Sequence, residues 1–309
     1  MVLVITLLCH GCPTQAIVAA FGLNERTVAR WFAGAGQHCQ RVHEHLVEQG
    51  QIDVQHVQAD ELWVKQVGAK VWMAMALAVP TRLWLGGVVS RHRDLPLITR
   101  LVQRVRACAV TPAILVCVDG LASYVTAFWK VFREPIRTGR RGRPRLVLPA
   151  GFQFAQVVKH SAKRHVVGVT RWVIHGTLAG IEAVLTATAT GTVINTAYIE
   201  RLNATFRAHL APLTRRGRAI ARTEAALTAG LWLVGTAYNF CWPHDSLCLL
   251  AASGSPRKWH ERTPAMAAGL TDRPWRIDEL LRFQIPLPRW VPPKRRGRPP
   301  NRPPLEAAA

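Results

Sequence analysis

Acids are scarce in this chain, 18 Asp and Glu against 40 Lys and Arg in 309 residues, so an acid set among apolar residues carries information. Asp60 and Glu61 stand inside the β-prone run VQADELWV (57–64), and Asp119 closes a second apolar run, AILVCVDG (113–120). Glu200 lies in NTAYIERLNATFRAHL (195–210). There Ile199, Leu202 and Phe206 form one helical stripe, which turns Glu200, Asn203 and Arg207 to a different face. If the two runs are neighbouring strands and the helix packs on their sheet, Asp60, Asp119 and Glu200 meet. Three carboxylates in one place repel one another unless cations separate them, so the cluster is expected to bind metal. Oxygen ligands favour Mg²⁺ or Mn²⁺ over zinc. Two ions roughly 3.5–4 Å apart could activate a nucleophile and stabilise the leaving oxygen of an in-line phosphoryl transfer. Strand alternation points Glu61 away from Asp60 and gives it a supporting role. Glu182 and Glu224 are rivals to Glu200, and Asp119 could instead cap a helix.

The elements that must position these acids can be read coarsely. HVQADELWV, VWMAMALAV and LWLGGVVSR read as three strands. The apolar stretch 71–89 nearly reaches bilayer-spanning length, but Pro80 to Arg82 is a turn signal at its centre and makes a hairpin the expectation. A helix (LPLITRLVQRVRACA), the strand ending in Asp119 and another helix (SYVTAFWKVF) follow. FQFAQVVK and HVVGVTRWVI are further strand candidates, ahead of a helical region from about Gly176. Three antiparallel strands, a helix, then a strand ending in an acid is the order of an RNase H-like domain. The expected fold is therefore α/β, a mixed-sheet catalytic domain over 51–250.

The net charge of +22, spread along the chain, predicts a polyanionic partner, and nucleic acid is the usual one. With 49% hydrophobic residues and 11 tryptophans, the chain can bury a core, which excludes a disordered basic tail protein. Seven cysteines without regular spacing argue for reduced thiols in the cytoplasm rather than a disulfide framework. The opening MVLVITLLC lacks a charged leader and a cleavage site, and reads as a buried helix rather than a membrane span.

Residues 1–50 are expected to be an all-α DNA-binding region. In PTQAIVAAFGLNERTVARWF (13–32), Thr14 is placed as a helix cap, with Ala16, Ile17 and Ala20 on an inner face. Gly22 breaks the helix and Asn24 caps a second one. In this helix-turn-helix, Val28, Trp31 and Phe32 face inward, while Glu25, Arg26, Thr27 and Arg30 face out, as a recognition helix presents its first turns to the major groove. Cys9, Cys12, His38, Cys39, His43 and His45 lack a clean zinc-finger spacing, so a zinc site is discounted. RRGRPR (140–145) and KRRGRPP (294–300) share Gly-Arg-Pro between basic residues and resemble AT-hooks. Arg143 and Arg298 would lie in the minor groove of A·T-rich DNA. The first marks an insert near 138–148, the second the tail of an extension over 251–309. His160 and His165 are assigned to a basic DNA-facing surface. Trp242, His244 and Asp245 are assigned to packing or DNA contact. A tyrosine recombinase built on Tyr198 would need an Arg and His cluster for which no motif is present.

ADELW, VDGLASY and YIERLNATFRAHLAPLTRRGRA resemble the three acid motifs of bacterial insertion-sequence transposases of the Asp-Asp-Glu type, closest to the insertion-sequence-one kind. YNFCWPHDSL and RTPAMAAGL fit the same kind of protein, and the likeness runs roughly from Cys9 to Leu281. The resemblance implies Asp60, Asp119 and Glu200 as metal ligands. It places Arg201 and Asn203 in a Glu-Arg-Leu-Asn motif that, with Arg207, would face DNA. It implies double-stranded DNA as partner, both terminal inverted repeats and target. Pairing of two ends would require a homo-oligomer, acting on the bacterial nucleoid. One departure is the short stretch ahead of Gly11, where members of this kind often carry a cysteine-rich zinc module; it implies a chain shortened at its N-terminus. The competing expectation is a non-catalytic helix-turn-helix and AT-hook protein, either a regulator or an inactive transposase remnant.

Overall fold

A computed structural model describes residues 1–49, 52–136, 139, 142–163, 165–214, 220–251, 258–287 and 290. The chain begins with helices α1 (Val2–Cys9), α2 (Thr14–Phe21) and α3 (Glu25–His43), the last running into a π-helical turn, Glu44–Glu48. Strands β1 (His56–Gln66), β2 (Ala69–Ala78) and β3 (Leu83–Ser90) follow, then α4 (Leu95–Cys108), β4 (Leu115–Asp119) and α5 (Ala122–Phe132). A small hairpin, β5 (Glu134–Ile136) and β6 (Arg145–Val147), precedes β7 (Gln153–Ala162) and β8 (His165–His175). Helices α6 (Leu178–Ala187), α7 (Ala197–His209) and α8 (Glu224–Phe240) come next, and α9 (Pro264–Ala267) and α10 (Ile277–Arg282) end the described helices.

The main sheet has six strands in the order β3-β2-β1-β4-β7-β8. β1 pairs antiparallel with β2 and parallel with β4, β4 pairs parallel with β7, and β8 returns antiparallel on β7. The fold is thus α/β with a mixed sheet. The apolar stretch 71–89 is the expected hairpin, and no helix among the described residues is long and apolar enough to cross a membrane.

Strand alternation sorts the core onto two faces. Leu62, Val64, Met73, Met75 and Trp84 pack with α1, α3, α7 and α8. Val57, Ala59, Ala74, Ala76, Val116 and Val118 pack with α4 and α5. Near β7, Leu115, Cys117 and Val157 pack with Ile181 and Leu185 of α6. Helices therefore cover both faces, and β1 and β4 are central strands, which explains the continuous apolar run LVCV of β4.

The N-terminal helices form the expected helix-turn-helix outline, with two corrections. Pro13, not Thr14, occupies the cap position of α2, and Thr14 is its first helical residue. Of the expected inner residues only Ile17 is buried; Ala16 and Ala20 are exposed because Val18 turns toward the core instead. Gly22 ends α2 at φ 61°, a left-handed conformation that glycine adopts without strain. The Asn24 side chain accepts from the Arg26 amide at 2.8 Å. Arg26 and Arg30 are exposed, Thr27 is half-buried and Val28 is buried. Beyond that first half, one face of α3 is internal: Ala35, Gly36, Cys39 and Val42 are buried, packed with the sheet, while Gln37 and Arg41 stay exposed. Leu280 of α10 joins this core too, so part of the C-terminal extension is folded against it.

Candidate metal centre

β1 and β4 run in parallel register to the pair Ala59 and Val118. The next residue of each strand, Asp60 and Asp119, therefore lies at the point where β4 ends and β1 continues alone with β2. The carboxyl ends of parallel strands are where open α/β sheets bind ligands. Asp60, Glu61 and Asp119 offer carboxylate oxygens that all lie within 4.8 Å of one another. Among the described residues this is the one group of three or more acidic, His or Cys side chains close enough to share an ion.

Each acid is held from a different element. One Asp60 oxygen accepts from the Glu61 amide at 2.9 Å, and the other accepts from Asn203 Nδ2 at 2.7 Å. Asn203, expected to face DNA, is instead buried on α7 with the apolar stripe, because that side of the helix packs over β1, and its Oδ1 has no hydrogen-bond partner. Glu61 does point away from Asp60, toward the α4–α5 face, where it accepts from Tyr124 Oη at 2.7 Å and is paired with Arg93. The end of β4 at Asp119 lies beside it, so its carboxylate still joins the cluster, which alternation alone did not anticipate. Asp119 accepts from the Leu121 amide at 3.0 Å at the start of α5, and from Arg93 at 3.2 Å. The alternative role as helix cap does not hold: Leu121 is the cap residue of α5 and no side chain caps that helix, so the Asp119 bond orders only the turn ahead of it. Gln156 donates to the Asp119 carbonyl at 3.0 Å.

Glu200, the third expected ligand, stands outside the 4.8 Å group. It is exposed on the first turn of α7, where it accepts from Thr196 Oγ1 at 2.7 Å and is paired with Lys159 of β7. Its charge still reaches Asp60. Burial, then Glu61 and Asp119, then Glu200, push the Asp60 carboxyl up to about 7, against the opposing Glu61 amide. Burial, then Asp119, also raises Glu61, while Tyr124 and Arg93 act the other way. The charged form of this cluster is thus costly without a cation, and the donors are hard oxygens. Three carboxylates so close together could hold a metal ion.

Gln58 ties the two halves of the site together. Buried on β1 two residues before Asp60, it accepts from the amides of Tyr198 at 3.0 Å and Ile199 at 3.1 Å and donates to the Asn195 carbonyl at 2.8 Å. It therefore fixes the start of α7, and Glu200 with it, against the strand that carries Asp60. The sequence signal was a glutamine at i−2 from the acid in a buried strand, on the acid's own face.

The remaining expected residues are dispersed. Arg201 is exposed and Arg207 half-buried on α7, and Arg143 is exposed just before β6, so the Gly-Arg-Pro insert belongs to the excursion between β5 and β6. Arg298 and the rest of the second Gly-Arg-Pro segment lie outside the described residues. Of the rival acids, Glu224 starts α8 and pairs with Arg91 at 2.6 Å, and Glu182 is exposed on α6. His160 bonds Thr170 at 2.8 Å, Tyr198 Oη donates to the Thr190 carbonyl at 3.2 Å, and Trp242 stacks on His209 at 4.2 Å. His43, one of the discounted zinc residues, is buried between Trp84 and Trp232.

Compared with models of protein families the chain matches none, and it matches none of the curated proteins.

Proposed function

We propose that this chain is a DNA transposase of the Asp-Asp-Glu type, with an RNase H-like catalytic domain that cuts and joins phosphodiesters in a metal-dependent reaction. The observation that carries the reading is the placing of Asp60 and Asp119 side by side at the ends of two parallel central strands, in a protein otherwise strongly basic. The helix bearing Glu200 starts against the same strand through Gln58. Divalent cations bound by these carboxylates would favour the ionised form of a water or a DNA 3′-hydroxyl and neutralise charge on the reacting phosphate. The residues supply the rest. Asp60 and Asp119 hold the two central oxygen positions, Asn203 orients Asp60, and Glu200 closes the site once it leaves Lys159. In the first step a water oxygen bonds to phosphorus and the 3′-oxygen leaves with a proton as a free hydroxyl. In the second, that hydroxyl attacks a phosphodiester of another strand, one P–O bond forming as one breaks. The exposed arginines of α3 and the insert provide contacts to duplex DNA.

A second reading, a DNA-binding protein without catalysis, is favoured by one observation: Arg93 spans Glu61 and Asp119, and Lys159 holds Glu200, so three of the four acids already pair with internal cations. Incubation with labelled DNA carrying the ends that flank the encoding gene, in Mg²⁺, separates the two. Under the transposase reading the wild type releases 3′-hydroxyl ends and joined products, whereas Asp119→Asn and Glu200→Ala bind the DNA and do neither. Binding without cutting by the wild type would overturn it in favour of the second.

A further inference from the structure

The acid cluster does not end at Arg93. Past the end of β4, the β1–β2 hairpin continues to the turn at Gly68, with β3 still paired to β2 as far as Trp72, and on its α4–α5 face Glu61 is followed, two residues on, by Trp63. Trp63 pairs across the strands with Trp72. Lys70 Nζ lies 4.9 Å from the centre of the Trp63 ring and 4.4 Å from that of Trp72. The Arg93 guanidinium lies 5.1 Å from the centre of the Trp72 ring while pairing with Glu61 and Asp119. A continuous surface thus runs from the carboxylates through Arg93 to two indoles and a lysine. Trp63 is 58% exposed. A lone exposed tryptophan needs no explanation; one opposed across strands to a second, half-buried one, interleaved with cations and adjoining the acid cluster, does.

We propose that the Trp63–Trp72 face is a stacking platform for unpaired nucleobases of a single DNA strand running from the acid cluster, its phosphates met by Lys65, Lys70 and Arg93. This rests on the reading of the cluster as a nucleic-acid site. Charge complementarity names the partner: the exposed Lys65 and Lys70 flank the rings in a chain of net charge +22. The rings name its form, since bases within a duplex have their faces covered and only unpaired ones can stack on indole. Sequence preference is expected to be weak, because every base has a π-face.

The test measures binding of a labelled single strand and of the matching duplex by fluorescence anisotropy, without divalent metal, for wild type, Trp63→Ala and Trp63→Phe. Stacking is worth about 1–3 kcal/mol per base, so Trp63→Ala should weaken single-strand binding by about fivefold or more. Duplex affinity should stay the same, and Trp63→Phe should restore most of the loss. Equal loss on both substrates, or no loss on either, overturns the platform. A matching unfolding midpoint for Trp63→Ala establishes that the effect is local, and a variant that fails this check is replaced by Trp63→Leu, which keeps apolar bulk without the ring. Strand cleavage by the wild type is scored separately. Cleavage without selective single-strand loss sinks the platform alone, and selective loss without cleavage sinks the transposase reading alone.

Discussion

Replacing Gln58 by Leu isolates the joint between the strand of Asp60 and the helix of Glu200. The side chains have similar volume, so the change creates little cavity and removes hydrogen bonds. Three main-chain groups lose their partner, the N–H groups of Tyr198 and Ile199 and the carbonyl of Asn195. The α7 cap residue Thr196 makes no side-chain cap bond that could substitute. A buried polar group left unmet costs about 1–3 kcal/mol. Ile199 is buried while Tyr198 and Asn195 are nearer solvent and can regain water, which puts the sum at about 3 kcal/mol. At roughly 2–4 °C per kcal/mol for a chain of this class, the melting midpoint should fall by about 6–12 °C. Calorimetry measures that fall, and electron paramagnetic resonance should show weaker Mn²⁺ binding, because Asn203 on the loosened helix no longer fixes Asp60. A midpoint within about 1 °C of wild type, with Mn²⁺ binding intact, would refute the assignment of Gln58 as the joint.

Acid sensitivity should come partly from His43 and His56, both buried and both pushed down to about 3, by burial first. The unfolded chain takes up these protons near pH 6.5 and the folded chain only near pH 3. Their stabilising contribution is thus complete above pH 6.5 and lost as pH falls toward 3, by at most about 1.4 kcal/mol per pH unit for each. Urea unfolding at several pH values should show His43→Gln with a shallower acid slope than wild type. Within α3, Gly36→Ala should destabilise by about 1–3 kcal/mol, since the new Cβ would lie 2.5 Å from the Ala229 backbone, whereas Gly34→Ala, with nothing within 4 Å, should stabilise by up to about 1 kcal/mol. Equal effects of the two in thermal melts would contradict the close approach of α3 to α8. If the exposed Arg30 meets a DNA phosphate, Arg30→Ala should reduce the slope of log affinity against log salt by about 1 in duplex titrations.

What was legible in the sequence was whatever period and punctuation encode. The hairpin at Pro80, the strand ending in Asp119, the helix of Ile199, Leu202 and Phe206, and the Gly22 and Asn24 boundary all follow from local rules. That the strands of Asp60 and Asp119 are neighbours followed less directly, from a sequence of elements rather than from pairing signals. The make-up of the acid group did not follow, because Glu61 was assigned by alternation, which fixes where a side chain starts. A glutamate beside the end of a neighbouring strand has enough length to return. Arg93, from the loop before α4, and Tyr124, from α5, meet Glu61 only in three dimensions and left no spacing to find. The burial of half of α3 was hidden for the same reason: its partner, α8, comes nearly two hundred residues later.

That burial has a practical side. Over 19 residues α3 rises about 28 Å, its first turns carrying exposed arginines and its second half wedged beside α8 without a hinge. A fragment cut at residue 50 to study DNA contact alone would bare Ala35, Cys39 and Val42 to water and should clump or unravel. Conversely, a pull or twist applied at Arg26 would be felt in the packing beneath the sheet. The helix ties the surface to the core.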